Sequence, residues 1–552
     1  MIEYLKNIVF FNSKTVFGFT TFYFWAFFAV VLIGYTIFCK KNAWRSVYML
    51  LVSLFFYYKT SGFFFIILIS TTIINYFLGN LIYKNEKKST KIIFLTISTF
   101  ANLLILSYFK YTYLFIGAIN QLFGCEIPIY DYILDITNIF AGTHFDSTRI
   151  LLPAGISFYM FQTMSYTIDL YKKKIEPVKN IIDFGFFVSF FPSLVAGPIV
   201  RASDFVPQIY KKFEVSRYDF GMAIFLILKG LTKKIMLGDY LAVNFIDRIF
   251  SMPERYSGFE NLLATVAYSM QVYLDFSAYS DIAIGIALLM GFRIPANFNS
   301  PYKAKNCGDF WKRWHISLST WLKDYLYIPL GGNRRASPGT FINAAILISI
   351  FIFLSAHWII VISIAAIVLI LTMLALVFPK TQKQIITNTN LMITMLLGGL
   401  WHGSSWNFLI WGGLNGLGIV VYKFWKKISP YEKINSWWAN SLKILITFSF
   451  ITFTRIFFRA SDFDSAKTVM NQIWNNFNVS IIPQILLGYW KVVLVLIVAF
   501  VTHWLSNNLK NKVRDRFIAL PHWTKAIVTV CAVFVIYQMV CADAQPFIYF
   551  QF

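Results

Sequence analysis

The chain has 552 residues, of which 58% are hydrophobic and only 13% charged, well below the ~25% charged content of soluble globular proteins. Apolar runs of about 18 residues or more recur from end to end, which excludes a soluble domain and predicts an all-α polytopic membrane protein. The formal net charge of +24 would suit nucleic acid in a soluble protein. Here the lysines and arginines sit mostly in short loops between apolar spans, the pattern of loops kept beside anionic headgroups on the cytoplasmic side, so no nucleic-acid partner is expected.

Taken in order, a first span at about 16–38, with no cleavable leader, ends at Lys40, Lys41 and Arg45. Residues 46–58 and 62–83 read as a hairpin turning at Thr60-Ser61-Gly62 and ending in Lys84, Lys87, Lys88 and Lys91. Two basic loops separated by two spans place both in the cytoplasm and the amino end outside. A span at about 92–114 then leads to an external loop at 115–148, and the span at about 151–170 returns to Lys172, Lys173, Lys174 and Lys179.

Residues 182–200 are apolar but flanked by basic residues on both sides, and Pro192, Gly197 and Pro198 interrupt them. This predicts a broken element that enters and leaves on one side. Lys229, Lys233 and Lys234 interrupt the next span, 218–250, making it short or partly interfacial, whereas 262–291 is a clearer span carrying Asp275 and Asp281. Carboxylates in an apolar helix are costly unless they face water or a partner, which makes both site candidates; a structural hydrogen-bonding role is the plainer reading.

The region 299–335 is too basic to cross as one helix, and Phe341–Phe378 is long enough for an additional helical hairpin turning near His357. Further apolar segments follow near 391–424, 437–458, 485–505 and 524–542. The whole, 1–552, reads as a single integral membrane domain of about eleven to thirteen apolar elements. It divides into amino-terminal helices (16–250), a histidine-bearing core (262–424) and carboxy-terminal helices (437–552). No inverted internal repeat of the alternating-access kind is visible.

Two stretches concentrate the unusual chemistry: G-D-F-W-K-R-W-H-I-S-L-S-T-W-L-K-D-Y-L-Y-I-P-L-G-G-N-R-R (308–335) and G-G-L-W-H-G-S-S-W-N-F-L-I-W-G-G-L-N-G-L-G (398–418). Around His402, Gly398, Gly399 and Gly403 remove side chains and let another molecule or element approach the ring, while Trp406 and Asn407 follow on or near the same helical face. If 309–326 is one helix, Trp311, His315, Ser319 and Leu322 form a stripe facing protein, with Arg334 and Arg335 beyond the Gly331-Gly332-Asn333 turn open to anions. An imidazole can take a hydroxyl proton near neutral pH, as acyl transfer to an alcohol requires. The residues alone leave catalysis, structural hydrogen bonding and proton passage open. No H-x-x-x-H or H-E-x-x-H spacing occurs, and the five cysteines, Cys39, Cys125, Cys307, Cys531 and Cys541, form no C-x-x-C pair, so neither a metal site nor a disulfide scaffold is expected. His144, His357, His503 and His522 read as structural or incidental.

Taken together, L-P-A-G-I-S-F-Y-M-F-Q-T-M-S-Y-T-I-D-L-Y (152–171), S-F-F-P-S-L-V-A-G-P-I-V-R (189–201), Y-L-D-F-S-A-Y-S-D-I-A-I-G (273–285), the two histidine stretches and F-F-R-A (457–460) resemble the membrane-bound O-acyltransferase family. The branch is that of the alginate O-acetyltransferase membrane subunit and, more distantly, the D-alanyl transfer protein of teichoic acid modification. The resemblance covers nearly the whole chain. It implies that His402 is the family's catalytic histidine and His315 its second required one. It also implies a funnel or tunnel in which a cytoplasmic thioester meets an acceptor from the other face, and an extracytoplasmic SGNH-hydrolase-like partner. One departure stands out: the family's single short helix between G-G-N-R and W-H-G is replaced here by the longer Arg335–Leu396 stretch, whose extra hairpin at 341–378 would restore the original side.

The expected activity is transfer of an acyl group, acetyl from acetyl-CoA, to hydroxyls of a cell-surface polysaccharide or peptidoglycan, in the cytoplasmic or inner membrane of a bacterium. No cofactor is bound. In this reading His402 is the base and His315 positions donor or acceptor. Trp311, Trp401 and Trp406 shape an apolar channel with Ser319, Asn407, Asp275 and Asp281 as further candidates, and Arg334 and Arg335 attract donor phosphates. The alternative is a proton-coupled transporter or flippase of an envelope precursor.

Overall fold

The computed structural model describes residue 11, residues 17–141, 146–355, 377–540 and 546–547, and positions 359, 362, 363, 366, 367, 370 and 373. Among these residues the architecture is helical throughout, with no strand. The amino-terminal part holds α1 (Phe22–Phe38), α2 (Asn42–Ser61), α3 (Phe65–Lys84), α4 (Lys88–Phe123), α5 (Tyr132–Ala141), α6 (Ile156–Tyr171), α7 (Ile181–Ser189), α8 (Ala202–Ile209) and α9 (Arg217–Leu231). The middle holds α10 (Gly258–Leu289), α11 (Cys307–Arg313), α12 (Ile316–Leu322), α13 (Pro338–Ser355), α14 (Pro379–His402) and α15 (Trp406–Ile428). The carboxy-terminal part holds α16 (Trp437–Arg459), α17 (Phe463–Asn475), α18 (Ile482–Gly488), α19 (Trp490–Trp504), α20 (Asn507–Ala519) and α21 (His522–Gln538).

Among the described residues five helical stretches are long and apolar enough to cross a membrane, or seven if two sharply bent pairs each count as one span. The chain is a multi-pass membrane protein. The 87° bend before Trp490 breaks the segment that the hydropathy pattern presents as a simple span at 485–505, and the 119° bend before His522 turns the chain just ahead of the one at 524–542. The Asn42–Lys84 stretch reverses at Gly62, where φ is +59°: Leu50 and Thr72, on opposite sides of that turn, both reach Gly185 of α7. At nine residues α7 is too short to cross, and Phe190 ends it before the single turn Phe191–Leu194. From Asp183 through Leu194 this broken element is buried, so neighbouring protein shields its interrupted backbone from lipid.

Helix α10 is the axis of the fold. Its most apolar window is 83% buried, against 22% for α4, so α10 is surrounded by protein while α4 borders lipid. A capping box starts it: Ser257 Oγ accepts from Glu260 N, and the Glu260 carboxylate accepts from Ser257 N at 2.9 Å. Beside it α9 runs on through wide π turns at Thr232–Asp239 and Ala242–Ile246. Those turns bring the span-interrupting lysines inward. Lys234 Nζ lies 2.5 Å from Asp275 and 2.8 Å from Asp239, and Lys229 and Lys233 hold Asp281 at 2.9 and 2.8 Å. Asp275 and Asp281 are thus ion-paired across a helix interface, which offsets their burial.

Helix α4 shows the two-faced pattern of a lipid-bordering span. Ile93, Phe100 and Leu104 point outward, whereas Ser98, Asn102, Phe109 and Lys110 are buried. Ser98 and Asn102 bond to Asn75 of α3, and Asn102 accepts from Thr163 of α6 at 3.0 Å. Such interhelical hydrogen bonds supply adhesion where the hydrophobic effect does not distinguish helix from lipid. The expected hairpin at 341–378 falls partly on residues outside those described, as do His144 and His357.

Candidate active site

His402 is the last residue of α14; the chain then leaves the helix at Gly403 in an extended conformation. The break has a packing cause. A Cβ on Gly403 would lie 2.0 Å from the Phe408 ring, and a Cβ on Gly399 would lie 2.3 Å from the Phe408 carbonyl oxygen. The glycines admit helix α15, whose Gly412 backbone touches Gly399. Because α14 ends in the protein interior, its last carbonyls need donors. Helix α4 supplies them: Tyr111 Oη donates to the Leu400 carbonyl at 2.6 Å, and Lys110 Nζ donates to the Trp401 carbonyl. A lysine there also complements the negative end of the helix dipole.

The His402 imidazole is enclosed by rings. Trp401, Trp411 and Phe458 lie with centroids 4.9, 5.0 and 5.4 Å away, all close to perpendicular. Lys110 and Arg455 are the lysine and arginine whose charges bear on it most. Arg455 is itself buried, with its guanidinium 4.4 Å from the Trp314 ring centroid and 5.2 Å from that of Phe458. His402 also lines a cavity of about 260 Å³, together with Ser61, Lys110, Gly155, Phe158 and Trp401. The cavity lies at the Gly62 end of the α2–α3 hairpin, away from the basic loops at 40–45 and 84–91.

His315 is fully buried and sits between α11 and α12 in the left-handed region, φ +43°. The expected single helix over 309–326 is therefore two short helices meeting at this residue, and the Trp311–His315–Ser319 stripe does not form. The ring is held by Asn297: its Oδ1 is 3.2 Å from His315 Nδ1 and accepts from Ser317 N and Ser317 Oγ at 3.1 and 2.9 Å. Ser317 Oγ in turn accepts from Ile199 N at 3.0 Å, so the G-P-I-V-R segment braces the same turn. Phe276 of α10 stands edge-on 4.6 Å from the His315 ring, and Trp401 lies 6.0 Å away. Trp401 thus contacts both histidines, and Phe158 and Phe161 pack on its other sides at 5.4 and 5.5 Å.

The other sequence candidates are dispersed. Trp311 packs on Trp411 at 5.7 Å and so reaches His402 through one intervening ring. Trp406, beyond the helix break, packs on Phe351 at 5.6 Å instead of sharing a face with His402. Asn407 is buried and donates to the Ala460 carbonyl at 3.1 Å, and Ser319 Oγ donates to the Trp314 carbonyl at 3.2 Å. Arg334 and Arg335 are exposed on the turn after Gly332, which Asn390 of α14 ties down through the Gly332 and Arg335 carbonyls. His503 is buried against Tyr273 and Tyr302. Among the described residues no three His, Cys, Asp or Glu side chains converge as a metal site would need. Trp411, Phe458, Arg455, Lys110 and Asn297 are site neighbours that spacing did not single out. Only Phe458 and Trp411 lay in motifs already noted.

A model of the membrane-bound O-acyltransferase family matches residues 178–390. The chain is 31% identical to a peptidoglycan O-acetyltransferase of Helicobacter pylori over 82% of its own length and 78% of that protein. It is 33% identical to a probable alginate O-acetylase of Pseudomonas aeruginosa, over 78% and 69% of the two chains. A teichoic acid D-alanyltransferase of Bacillus subtilis is 26% identical over 58% and 72%.

Proposed function

The chain belongs to the membrane-bound O-acyltransferase family, and from that premise we propose that it transfers an acetyl group from acetyl-CoA to a hydroxyl destined for a cell-surface polysaccharide or peptidoglycan. The observation that carries this reading is His402, buried at a helix end among aromatic rings yet lining a cavity. Its ring takes the proton of the acceptor hydroxyl, or of a relay serine, as that oxygen attacks the thioester carbonyl. The C–O bond forms, the C–S bond breaks, and the imidazolium returns its proton to the departing thiolate. His315, fixed by Asn297, positions donor or acceptor, and the shared Trp401 keeps the two rings in register. Peptidoglycan and alginate are the acceptors named for relatives of comparable identity, so the polymer is an envelope glycan of this general kind. An extracytoplasmic SGNH-hydrolase-like partner completing delivery belongs to the same proposal.

The positive-inside rule places the loops at 40–45 and 84–91 in the cytoplasm and the His402 cavity toward the exterior. A proton-coupled transporter would use Asp275 and Asp281, but their pairing with Lys234, Lys229 and Lys233 favours a structural role. The test is acetyl transfer from labelled acetyl-CoA in proteoliposomes. His402→Ala should abolish transfer at wild-type abundance and insertion, and His315→Ala should lower it strongly. Retained transfer in His402→Ala would remove the base from this scheme.

A further inference from the structure

The His402 cavity holds a charge that the base chemistry of His402 leaves unused. Lys110 of α4 lines it beside Ser61, Ser157, Trp401 and His402, and among the described residues no aspartate or glutamate stands in its wall. The lysine is buried, and among the described residues it enters no ion pair. Its Nζ donates to the Trp401 carbonyl, its one hydrogen-bond partner among those residues, and lies 5.7 Å from the Trp401 ring centroid. An ammonium carries three N–H donors, so two remain for a group inside the cavity. A cation deep in a membrane protein without an anionic partner is costly, and its position marks a functional site.

Capping of α14 does not account for the charge. The neutral Tyr111 hydroxyl satisfies the Leu400 carbonyl one residue earlier, so a neutral donor would serve Trp401 as well. Proton transfer to His402 is where a full charge matters. When the imidazole gains a proton it becomes positive in the same wall as the ammonium, and the two charges oppose each other unless negative charge develops between them. Attack of a hydroxyl oxygen on a thioester develops that negative charge, on the carbonyl oxygen. At about 260 Å³ the cavity is smaller than the ~300–1,000 Å³ of sites that enclose a whole small molecule. It therefore suits the reacting ends of donor and acceptor.

Resting on the acyl-transfer reading above, we propose that Lys110 is a further catalytic residue, whose ammonium donates to the thioester carbonyl oxygen and holds the oxyanion of the tetrahedral intermediate. The hydroxyl proton passes to His402, the C–O bond forms, and the carbonyl π pair moves to the oxygen that faces Lys110. As that pair returns, the C–S bond breaks and the imidazolium protonates the thiolate. Lys110 keeps its own protons throughout, and its bond to the Trp401 carbonyl anchors the ammonium one residue from the base.

The test uses the full chain, in proteoliposomes for transfer from labelled acetyl-CoA and in nanodiscs for calorimetry. Two ketones serve as probes: S-acetonyl-CoA, whose carbonyl stays neutral, and S-trifluoroacetonyl-CoA, whose carbonyl adds water or an alcohol to give a tetrahedral adduct. Lys110→Gln keeps a donor for the Trp401 carbonyl and loses the charge, whereas Lys110→Arg keeps both. Wild type should bind the trifluoromethyl ketone about tenfold or more tighter than the methyl ketone. Lys110→Gln should lower kcat about tenfold or more with KM little changed and erase that preference, and Lys110→Arg should recover much of both. A lysine that only caps α14 would leave Lys110→Gln active or weaken both ketones alike. Absence of the preference in wild type, its survival in Lys110→Gln, equal loss for both ketones, wild-type kcat in Lys110→Gln, or Lys110→Arg no better than Lys110→Gln overturns the proposal. The two readings fail separately. If wild-type transfer depends on His402 and Lys110→Gln leaves it untouched, only the lysine assignment is lost; if the wild type transfers from no thioester, both are.

Discussion

Asn297 and Lys110 show how much of the site depends on residues distant in sequence from either histidine. Asn297 Oδ1 serves three groups at once, His315 Nδ1, Ser317 N and Ser317 Oγ, so Asn297→Ala strips the acceptor from a buried turn. A loss of about 1–3 kcal/mol in stability is expected, read as a lower melting temperature, with a fall in transfer that Asn297→Asp, which keeps the acceptor, partly restores. Lys110→Met should leave the Trp401 carbonyl unsatisfied and remove the nearest lysine charge from the His402 cavity, lowering transfer on the order of tenfold or more. Wild-type kcat in that variant would show that the bond to Trp401 is dispensable. The two histidines were legible in the sequence because a lone imidazole in an apolar, glycine-rich run stands out against its neighbours. Lys110 was not, because one lysine near the end of a long apolar helix looks like an interfacial anchor until the helix it caps is known. The Trp311–Ser319 stripe failed for a local reason: His315 takes a positive φ, and helical periodicity stops there.

The α14–α15 pair turns the glycine content of the second motif into geometry. Gly399 faces the Phe408 carbonyl and the Gly412 backbone, so Gly399→Leu must push the helices apart and displace the helix end that carries His402. Overpacking of this kind typically costs about 1–3 kcal/mol, and thermal unfolding in detergent should show it together with loss of transfer. Gly413→Ala, whose Cβ meets only Leu396 Cδ2 at 3.4 Å, should be tolerated and serves as the control. The motif admitted either a substrate or another helix beside the glycines; at Gly399 and Gly403 it is another helix. Hydropathy located the apolar elements well and missed the bend before Trp490, inside the segment read at 485–505. Basic residues on both flanks together with Pro192, Gly197 and Pro198 marked the broken segment that contains α7, whereas nothing in length or charge foretold that Lys229, Lys233 and Lys234 turn inward to Asp275 and Asp281.

Across the length of α14, the His402 cavity lies at one end, beside the Gly62 turn, and Lys383 and Lys427 lie toward the far ends of α14 and α15. Helix α2 runs from the basic loop at 40–45 to Ser61, which lines the His402 cavity, so that cavity lies at the end of α2 away from the basic loop. In a chain freed of its native cysteines, of which Cys125 and Cys531 are exposed, Thr60→Cys and Lys427→Cys should react with a membrane-impermeant maleimide from opposite faces. Thr60→Cys should label in intact cells and Lys427→Cys only after the membrane is opened. Labelling of both from one face would place donor and acceptor entrances in the same compartment, and the long α14 would then no longer be the element that separates a phosphate-bearing donor from an external hydroxyl.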